Sequence, residues 1–298
     1  IGIDVTGSLN NDARDDGLGM SLSGSRISVL DSTFTQLRTA VATTGSDFLF
    51  AGNTVTQVRE GVSIRSMTRA VFDSNYSADW QADYAKKEHP DMYQVHSGGG
   101  ANASSDLIFR NNVMLPGANG PVGGIFIRSE AFGAGRLDQR HQNILIENNY
   151  YEGDYRQAMS VGNANDVVIR NNSVRTGVNG GLVPAIDLTD VRGALVEGNI
   201  SPMLLQNRTL PNTGVVFRNN VDTWDVKTRT GVDSTQIFTS AGEGDLDFSR
   251  FNVVATSVAG RAGAGFSATN EIGNLSGTAA AQMAGWIPNF DQNFAVFA

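Results

Sequence analysis

Three histidines and one lysine pair are the first candidates for acid–base chemistry in this chain. The histidines are His89, His96 and His141, and the adjacent lysines are Lys86 and Lys87. A neutral imidazole or amine can remove a proton near neutral pH. The sequence therefore predicts a base in this region. His96 is the preferred candidate, His89 and Lys87 are its alternatives, and Lys86 is a candidate for substrate binding.

Two arginines flank His96 if neighbouring strands align as the alternation of apolar residues predicts. Arg65, His96 and Arg128 then lie on consecutive strands, with the two arginines about 10 Å apart. A guanidinium group can bind a carboxylate through two hydrogen bonds. Arg65 and Arg128 would therefore suit the carboxylate of an acidic sugar, and their charges would favour neutral His96. A solvated surface cation is the alternative for Arg65.

Further polar and aromatic residues nearby would position such a sugar, namely Asp91, Gln94, Phe126 and Glu130. Pro90 fixes the backbone before a strand, so that Asp91 could orient His89 or bind a sugar hydroxyl. A turn residue bonded to the backbone is the alternative for Asp91. Glu130 either pairs with Arg128 or shares in proton transfer.

A repeated unit, an apolar strand followed by a polar turn, predicts the elements that carry these residues. The units end at Thr33, Asn53, Asn75, Asn112, Asn149, Asn172, Asn199 and Asn220. Steps of 20 to 27 residues, with two longer steps of 37, separate these positions. Steps of the shorter kind are typical of one coil of a solenoid, in which neighbouring coils bury each other's apolar side chains. Aligned turn asparagines would form a ladder of amides.

A second strand precedes each unit, most clearly at 61–66, 91–97, 124–129, 158–163 and 185–190. Alternation predicts which side chains point inward. The inward set is Val62, Ile64, Tyr93, Val95, Ile125, Ile127, Met159, Val161, Ile186 and Leu188. The outward side chains then form two columns, which are Ser63, Gln94, Phe126, Ser160, Asp187 and Arg65, His96, Arg128, Gly162, Thr189.

The pattern predicts an all-β right-handed parallel β-helix, a solenoid of about eight to ten coils. Residues 1–230 would form the coils, with long loops at 76–90 and 130–141. Residues 231–298 would form terminal coils and a cap, including a short helix at 277–286. Long loops on a regular scaffold commonly carry function, and these two lie beside the candidate residues.

Composition excludes several classes of function. The net charge of −8 and the presence of only three lysines argue against a nucleic-acid partner. The absence of cysteine excludes disulfides and thiolate metal sites. No apolar stretch is long enough to span a membrane. The chain begins at Ile1 without a signal peptide, so we expect a mature or excised fragment of a protein that is secreted or displayed on a bacterial or phage surface.

One local motif resembles a known group of proteins. His89-Pro90-Asp91-x-x-Gln94, the Asn-Asn turn and Ile125-Phe126-x-Arg128-x-Glu130 resemble secreted bacterial parallel β-helix proteins. More widely, the chain is similar to the superfamily of pectate lyases, alginate lyases and mannuronan epimerases. The coil pattern covers about 20–225 and the motif only 89–130. The resemblance implies action on a uronic-acid polysaccharide. The signatures of polygalacturonase-type hydrolases are absent, which favours elimination over hydrolysis.

We therefore expect a polysaccharide lyase, and three alternatives remain open. The first is a C5-epimerase of the same substrate class. The second is a glycosidase or phage-type depolymerase, which would need a carboxyl pair such as Asp91 with Glu130 or Asp187 with Glu130. The third is a non-catalytic adhesin or surface module. The sequence leaves metal dependence open. Calcium is the candidate metal, because several carboxylates could supply its oxygen ligands, namely Asp79, Asp83, Glu88 and Asp91.

Overall fold

The computed structural model describes residues 2–9, 17–83, 90–98, 102–117, 119–136, 138–177, 182–206, 210–223, 236–238 and 251–267. Two four-residue helices lie among many strands, α1 (Glu130–Gly133) and α2 (Val258–Arg261). The strands are β1 (Asp4–Thr6), β2 (Leu18–Leu30), β3 (Thr33–Thr35), β4 (Thr39–Ala51), β5 (Thr54–Thr56), β6 (Glu60–Asp73), β7 (Tyr76–Ala78), β8 (Asp91–His96), β9 (Ser105–Arg110), β10 (Val113–Met114), β11 (Gly123–Arg128), β12 (His141–Glu147), β13 (Tyr150–Gly153), β14 (Gln157–Arg170), β15 (Ser173–Thr176), β16 (Ala185–Glu197), β17 (Ile200–Ser201), β18 (Leu204–Gln206), β19 (Thr213–Arg218) and β20 (Val221–Asp222).

The described residues form an all-β fold of two parallel sheets. The short-strand sheet has the order β1-β3-β5-β7-β10-β13-β15-β17-β20. The long-strand sheet contains β2, β4, β6, β8, β9, β11, β12, β14, β16, β18 and β19. Strand pairing is parallel throughout both sheets, as in the pairs β4–β6 and β14–β16. The chain alternates between the two sheets, and each return adds a strand beside the previous one. The predicted all-β class is confirmed.

A residue in the left-handed backbone conformation recurs at one level of the long-strand sheet, within β4, β6 and β14 and near the start of β9 and β12. Asp47, Arg69, Asp106, Asn143 and Asp166 have φ between 53° and 58°, and they occupy equivalent positions in neighbouring strands. Asp and Asn tolerate this conformation better than most residues because their side chains bond locally to the backbone. The extended backbone is therefore interrupted at the same point in successive strands.

Six strands of the long-strand sheet form a closed ring of pairings, β6-β8-β11-β14-β12-β9. The ring arises because β6 pairs through its first half with β8 and through its second half with β9. In the same way β14 pairs with β11 and then with β12. The two longer repeats interrupt the long strand between these halves. The candidate residues lie on the first halves, β6, β8 and β11.

The turn asparagines form a buried ladder between the sheets. Each side-chain amide donates to the Oδ1 of the asparagine in the next repeat at 2.8–3.0 Å. The ladder runs through Asn53, Asn75, Asn112, Asn149, Asn172, Asn199 and Asn220. Each Oδ1 also accepts a backbone N–H, so buried donors and acceptors satisfy one another. The predicted ladder is confirmed.

Apolar side chains from both sheets fill the space between them. All ten residues predicted to point inward are at most 1% exposed. Phenylalanines also stack from strand to strand, with the ring centroids of Phe72 and Phe109 4.8 Å apart and the rings almost parallel. Repeating such contacts along the stack provides the hydrophobic stabilisation of the fold. The side-chain directions predicted from alternation are confirmed.

The described C-terminal residues lie against the side of this structure. Phe251 and Phe266 pack with Tyr150 of the short-strand sheet, and the Phe266 amide donates to Ser173 Oγ at 2.8 Å. Residues 251–267 therefore cover part of the outer face of that sheet. The helix predicted at 277–286 lies outside the described residues, and a cap at the end of the coils remains a prediction.

Two predicted loop boundaries need correction. Residues 76–78 were expected to be part of a long loop but form strand β7, because they pair with β5 and β10. The second long loop was expected at 130–141, yet its first residues form α1 and His141 begins β12. Ser129 caps α1 by accepting a hydrogen bond from the Phe132 amide.

Candidate functional site

Arg65, His96 and Arg128 are aligned on three neighbouring strands. Arg65 of β6 pairs in register with His96 of β8, and His96 pairs with Arg128 of β11. Both arginines are exposed and His96 is half-buried. Neighbouring strands lie about 4.8 Å apart, so the backbones of the two arginines are about 10 Å apart. The predicted column is confirmed, and a histidine lies between two cations.

The second predicted column lies beside the first. Ser63, Gln94, Phe126, Ser160 and Asp187 are in register on β6, β8, β11, β14 and β16. These residues precede those of the first column by two positions, so alternation places both columns on the same face. Gln94, Phe126 and Asp187 are half-buried. Polar, aromatic and acidic groups therefore border the histidine and the arginines.

His96 is held by Ser63 and is biased towards its neutral form. Ser63 Oγ lies 3.0 Å from His96 Nε2. Burial lowers the pKa of His96, and the nearby charge of Arg65 lowers it further, whereas Glu130 and Glu60 act in the opposite direction. The sequence predicted a neutral histidine because of flanking cations. Burial is the larger cause, and the cation that contributes is Arg65.

Glu130 contacts the strand of His96 from the start of α1. Its Oε2 accepts a hydrogen bond from the Ser97 amide at 2.9 Å and from Ser97 Oγ at 3.2 Å. The predicted alternative of an ion pair with Arg128 is wrong, since no such pair lies within 4.0 Å among the described residues. Glu130 instead fixes the end of β8 and places a negative charge near His96.

A different column shows how this fold normally arranges charges. Six neighbouring strands each end in a charged residue just before the turn, and the charge alternates in sign from strand to strand. The residues, in order, are Asp73, Arg110, Glu147, Arg170, Glu197 and Arg218. Each arginine binds the preceding acid, for example Arg110 with Asp73 at 2.8 Å and Arg170 with Glu147 at 2.6 Å. Charges in this column, which we call the alternating column, therefore compensate one another.

The candidate site departs from this arrangement. Within the described part of the chain, Arg65, Arg128 and Arg156 form no ion pair, and all three are exposed. Arg156 lies just before β14, and its charge acts on Asp187, as does that of Arg128. These three cations lie on or directly beside neighbouring strands of a chain whose net charge is −8. Uncompensated cations on one face favour an anionic ligand.

Asp91 is placed differently from the prediction. Its side chain is 4% exposed, too little to meet a sugar on the surface. Its carboxyl occupies the space that a side chain at position 123 would fill, since a Cβ on Gly123 would lie 2.0 Å from Asp91 Oδ1. That oxygen has no hydrogen-bond partner among the described residues. Burial, and then the charge of Glu60, raise the pKa of Asp91 to about 7.

A cavity of about 600 Å³ opens on the same face beyond Arg128. Its lining residues are Tyr155, Arg156, Gln157, Leu182, Asp187, Leu205 and Gln206. Burial raises the pKa of Asp187, while Arg156 and then Arg128 oppose that effect. Asp187 was predicted to lie in an outward column, whereas no sequence pattern marked Tyr155 or Arg156. They lie in a turn between β13 and β14, where no strand periodicity marks side-chain direction.

Several other candidates are separate from this face or lie outside the described residues. Lys86, Lys87 and His89 belong to the latter group, so their predicted roles stay predictions. His141 is fully buried, and its Nδ1 accepts a hydrogen bond from the Ser104 amide at 2.9 Å. His141 is therefore a structural residue of the core. Trp80 of the first long loop is also buried, at 1% exposure.

Neither a metal-binding cluster nor a helix able to span a membrane is found among the described residues. No group of three or more His, Cys, Asp or Glu side chains in this part of the chain could hold a metal ion. Glu88, one of the four carboxylates considered for calcium, lies outside it. None of the helices in the described part is long and apolar enough to cross a membrane.

Comparison with known proteins returned no match to a family model, to a curated protein or to a solved structure.

Proposed function

We propose that the two sheets belong to one right-handed parallel β-helix. Three observations support this interpretation, namely the exclusively parallel ladders, the aligned left-handed residues within the long strands and the ladder of asparagines. Parallel strands joined by crossover connections are almost always right-handed. In this architecture the short strands and the two halves of each long strand form three faces. The ring β6-β8-β11-β14-β12-β9 then arises because the long strands of two coils are each divided in two, into β8 and β9 and into β11 and β12.

The proposed function is the cleavage of a uronic-acid polysaccharide by a lyase. The observation that carries it is the contrast between the alternating column and the column of Arg65, His96 and Arg128. The former compensates every charge, whereas the latter sets two exposed cations around a histidine biased to be neutral. Such a site would attract a polyanion and retain a base. The resemblance of the local motif to the lyase and epimerase superfamily points the same way.

In this proposal Arg65 and Arg128 bind the carboxylate of the uronate. Their charges stabilise the negative charge that develops on the carboxylate when C5 loses its proton. His96 accepts that proton. The electrons of the C5–H bond form the C4–C5 double bond, the C4–O bond breaks, and the leaving oxygen takes a proton. Lys87 and His89 remain the alternatives to His96 as the base, and Lys86 remains a candidate for binding the polymer.

The contact with Ser63 is compatible with the tautomer that this role requires. A neutral histidine has one N–H and one free lone pair. If Nε2–H donates to Ser63 Oγ, Nδ1 carries the lone pair and can accept the C5 proton. Ser63 would then be a positioning residue. Gln94 and Phe126 would contact the sugar from the neighbouring column, while Asp91 would support the site from beneath instead of binding the substrate.

A C5-epimerase is the second candidate function, since it uses the same first step. The intermediate would then receive a proton on the opposite face of C5 without breaking the C4–O bond. Both reactions need the carboxylate neutralised and a base at C5. They differ in the product alone, which is an unsaturated chain end for the lyase and an intact polymer of altered composition for the epimerase.

Hydrolysis by a carboxyl pair fits this arrangement less well. Asp91 begins β8 and the Glu130 carboxylate binds Ser97 beyond its end, so six residues place about 20 Å between them at about 3.3 Å per residue. The Glu130 carboxylate binds Ser97 at the end of β8, and β8 is three strand steps, about 14 Å, from β16, which carries Asp187. Glycosidase pairs are about 5–9.5 Å apart. A non-catalytic surface module would use the same cations for binding alone.

The first test is an activity screen on alginate, polygalacturonate, glycosaminoglycans and neutral polysaccharides, with and without calcium. Ultraviolet absorbance of unsaturated uronates and the release of reducing ends are followed together. A lyase gives both signals on an acidic polymer. Reducing ends without absorbance would replace the lyase by a hydrolase. If neither signal appears, the epimerase and the binding module remain. A change in the uronate composition of the polymer would indicate the epimerase, and binding without such a change would indicate the binding module.

The second test concerns the residues. Removal of a catalytic base commonly costs 10²–10⁴-fold in rate. We expect a loss of that order for His96→Ala, with Arg192→Gln as a control, because Arg192 is exposed on the second half of β16, beyond its left-handed break. If His96→Ala, His89→Ala and Lys87→Ala each reduced the rate by less than tenfold, the base would have to be sought elsewhere.

The proposed substrate class also has a consequence for where the protein acts. A polysaccharide of this kind is extracellular, so the proposal includes a secreted or surface-displayed protein of bacterial or phage origin. Calcium is the candidate cofactor in this proposal, and the comparison of activity with and without calcium tests it.

A further inference from the structure

The cavity beyond Arg128 has the features of a binding site in its own right. Arg156 and Tyr155 border it on one side, and Gln157 begins β14 beside them. Asp187 of β16 and Gln206 of β18 line the other side. An exposed cation, a phenol ring and several hydrogen-bonding groups thus face about 600 Å³ of open space. These are the groups with which proteins bind a charged sugar.

The cavity is continuous with the column of His96 along the direction in which strands stack. Phe126, Ser160 and Asp187 connect the two regions at successive strands. Gly162 follows Arg128 in the neighbouring position and has no side chain. A Cβ there would lie 3.7 Å from Arg128 Cγ, so Arg128 has room to lie over β14. Neighbouring residues of one face therefore join the two regions.

The spacing of the strands can be compared with the length of one sugar unit of a polymer. Two strand steps, about 10 Å, separate β8, which carries His96, from β14, which begins directly after Arg156. One hexopyranose unit spans roughly one such step. A polysaccharide that runs along the stack would therefore present a unit to the cavity about two units away from the one bound by Arg65 and Arg128.

We propose that the Tyr155–Arg156–Asp187 cavity is a second uronate subsite, in which Arg156 binds the carboxylate of a sugar about two units along the chain. Tyr155 would pack against that sugar, and Asp187 and Gln157 would accept or donate hydrogen bonds to its hydroxyls. This inference rests on the proposed function, because it takes the same polymer as ligand. It adds that recognition depends on the length of the polymer.

Calorimetric titration with defined oligouronates tests the subsite. Dimers and hexamers of mannuronate, guluronate and galacturonate are titrated into the His96→Gln variant, which prevents turnover. In this background we expect Arg156→Gln to weaken hexamer binding about tenfold, as for loss of one charge-assisted contact, and to leave dimer binding within about twofold, because a dimer bound at Arg65 and Arg128 does not reach a site two units away. Arg128→Gln should weaken both. Arg192→Gln removes an exposed charge elsewhere and should weaken neither.

The outcomes separate the two proposals. If Arg128→Gln weakens binding but Arg156→Gln leaves hexamer binding unchanged, the subsite is overturned and the proposed function stands. An equal effect of Arg156→Gln on dimers and hexamers would also overturn the dependence on length. If no oligouronate binds to the parent variant and none binds to the wild-type chain, the proposed substrate class fails, and the subsite fails with it.

Discussion

The phenolic hydroxyl of Tyr93 donates a 2.9 Å hydrogen bond to Oδ1 of Asn112 inside the core. Both residues are fully buried. The same oxygen accepts hydrogen bonds from the backbone amide and the side-chain amide of Asn75. The strand that carries His96 is thereby joined to the asparagine ladder. A buried tyrosine needs a partner for its hydroxyl, and the ladder supplies it.

The two ends of this hydrogen bond should differ in their contribution to stability. Tyr93→Phe removes one donor from an oxygen that keeps two others, so we expect a loss of about 1 kcal/mol. Asn112→Ala leaves several buried groups without partners, among them the Asn75 amide and the Phe72 carbonyl, so its cost should exceed about 3 kcal/mol. Urea unfolding measures both. Equal losses would show that the ladder does not concentrate stability at Asn112.

The two kinds of charge column should respond differently to neutralisation. Arg110→Gln removes the partner of Asp73, and we expect the free energy of unfolding to fall by about 1 kcal/mol. Arg128→Gln removes an arginine without an ion pair among the described residues, so stability should stay within about 0.5 kcal/mol. Thermal and denaturant unfolding of the two variants test this. A comparable loss for Arg128→Gln would indicate that Arg128 has a structural role.

Asp91 should make stability dependent on pH. Its pKa is raised in the folded protein to about 7 from an ordinary 3.8, so folding favours the protonated carboxyl. This contribution is complete below about pH 4 and is lost as pH rises through about 7. The difference corresponds to about 4 kcal/mol at alkaline pH. Unfolding of the wild type and of Asp91→Asn is compared from pH 4 to pH 9.

Asp91→Asn should therefore lose less stability than the wild type as pH rises. Asp4→Asn, at an exposed position of β1, is the control and should follow the wild type. Parallel curves for the wild type and Asp91→Asn would contradict the burial of an ionisable Asp91. They would also indicate that Asp91 Oδ1 has a hydrogen-bond partner in solution.

The titration of His96 should respond to its two charged neighbours in opposite directions. Its pKa lies below 6.5 because of burial and then Arg65, while Glu130 raises it. Arg65→Gln should therefore raise the pKa, and Glu130→Gln should lower it. Titration of the imidazole C–H signals by nuclear magnetic resonance measures the shifts, with His96→Gln to assign the signal. The acid limb of the activity profile should move with them. Shifts of the same sign in both variants would contradict this arrangement.

Much of the candidate column could be predicted from the sequence. Alternation of apolar residues decided that Val62 and Ile64 point inward, and the recurring turn asparagines fixed which residues of successive strands are equivalent. Together they placed Arg65 and His96 opposite each other. The alternation of charge before the turns was equally visible in the sequence. It would have been found by comparing the same position in consecutive units, such as Asp73 and Arg110.

Other features depended on contacts between distant segments. The strands of the short-strand sheet, such as Thr54–Thr56, are too short to show a period, and they exist because each pairs with strands before and after it. Residues 251–267 pack onto that sheet through Phe251 and Phe266, and no local sequence pattern predicts that these side chains contact Tyr150. Tyr155 and Arg156 lie in a turn whose direction is set by β13 and β14.

The sequence by itself determined the all-β class, the alignment of the strands and the alignment of Arg65, His96 and Arg128, because a repeat combined with a period of two specifies both position and direction. Only the tertiary structure decided which charges remain uncompensated, that Asp91 is buried over Gly123, and that a cavity lies beyond Arg128. Burial, and the electrostatic effects that follow from it, depend on the atoms supplied by neighbouring coils, and a single strand does not contain that information.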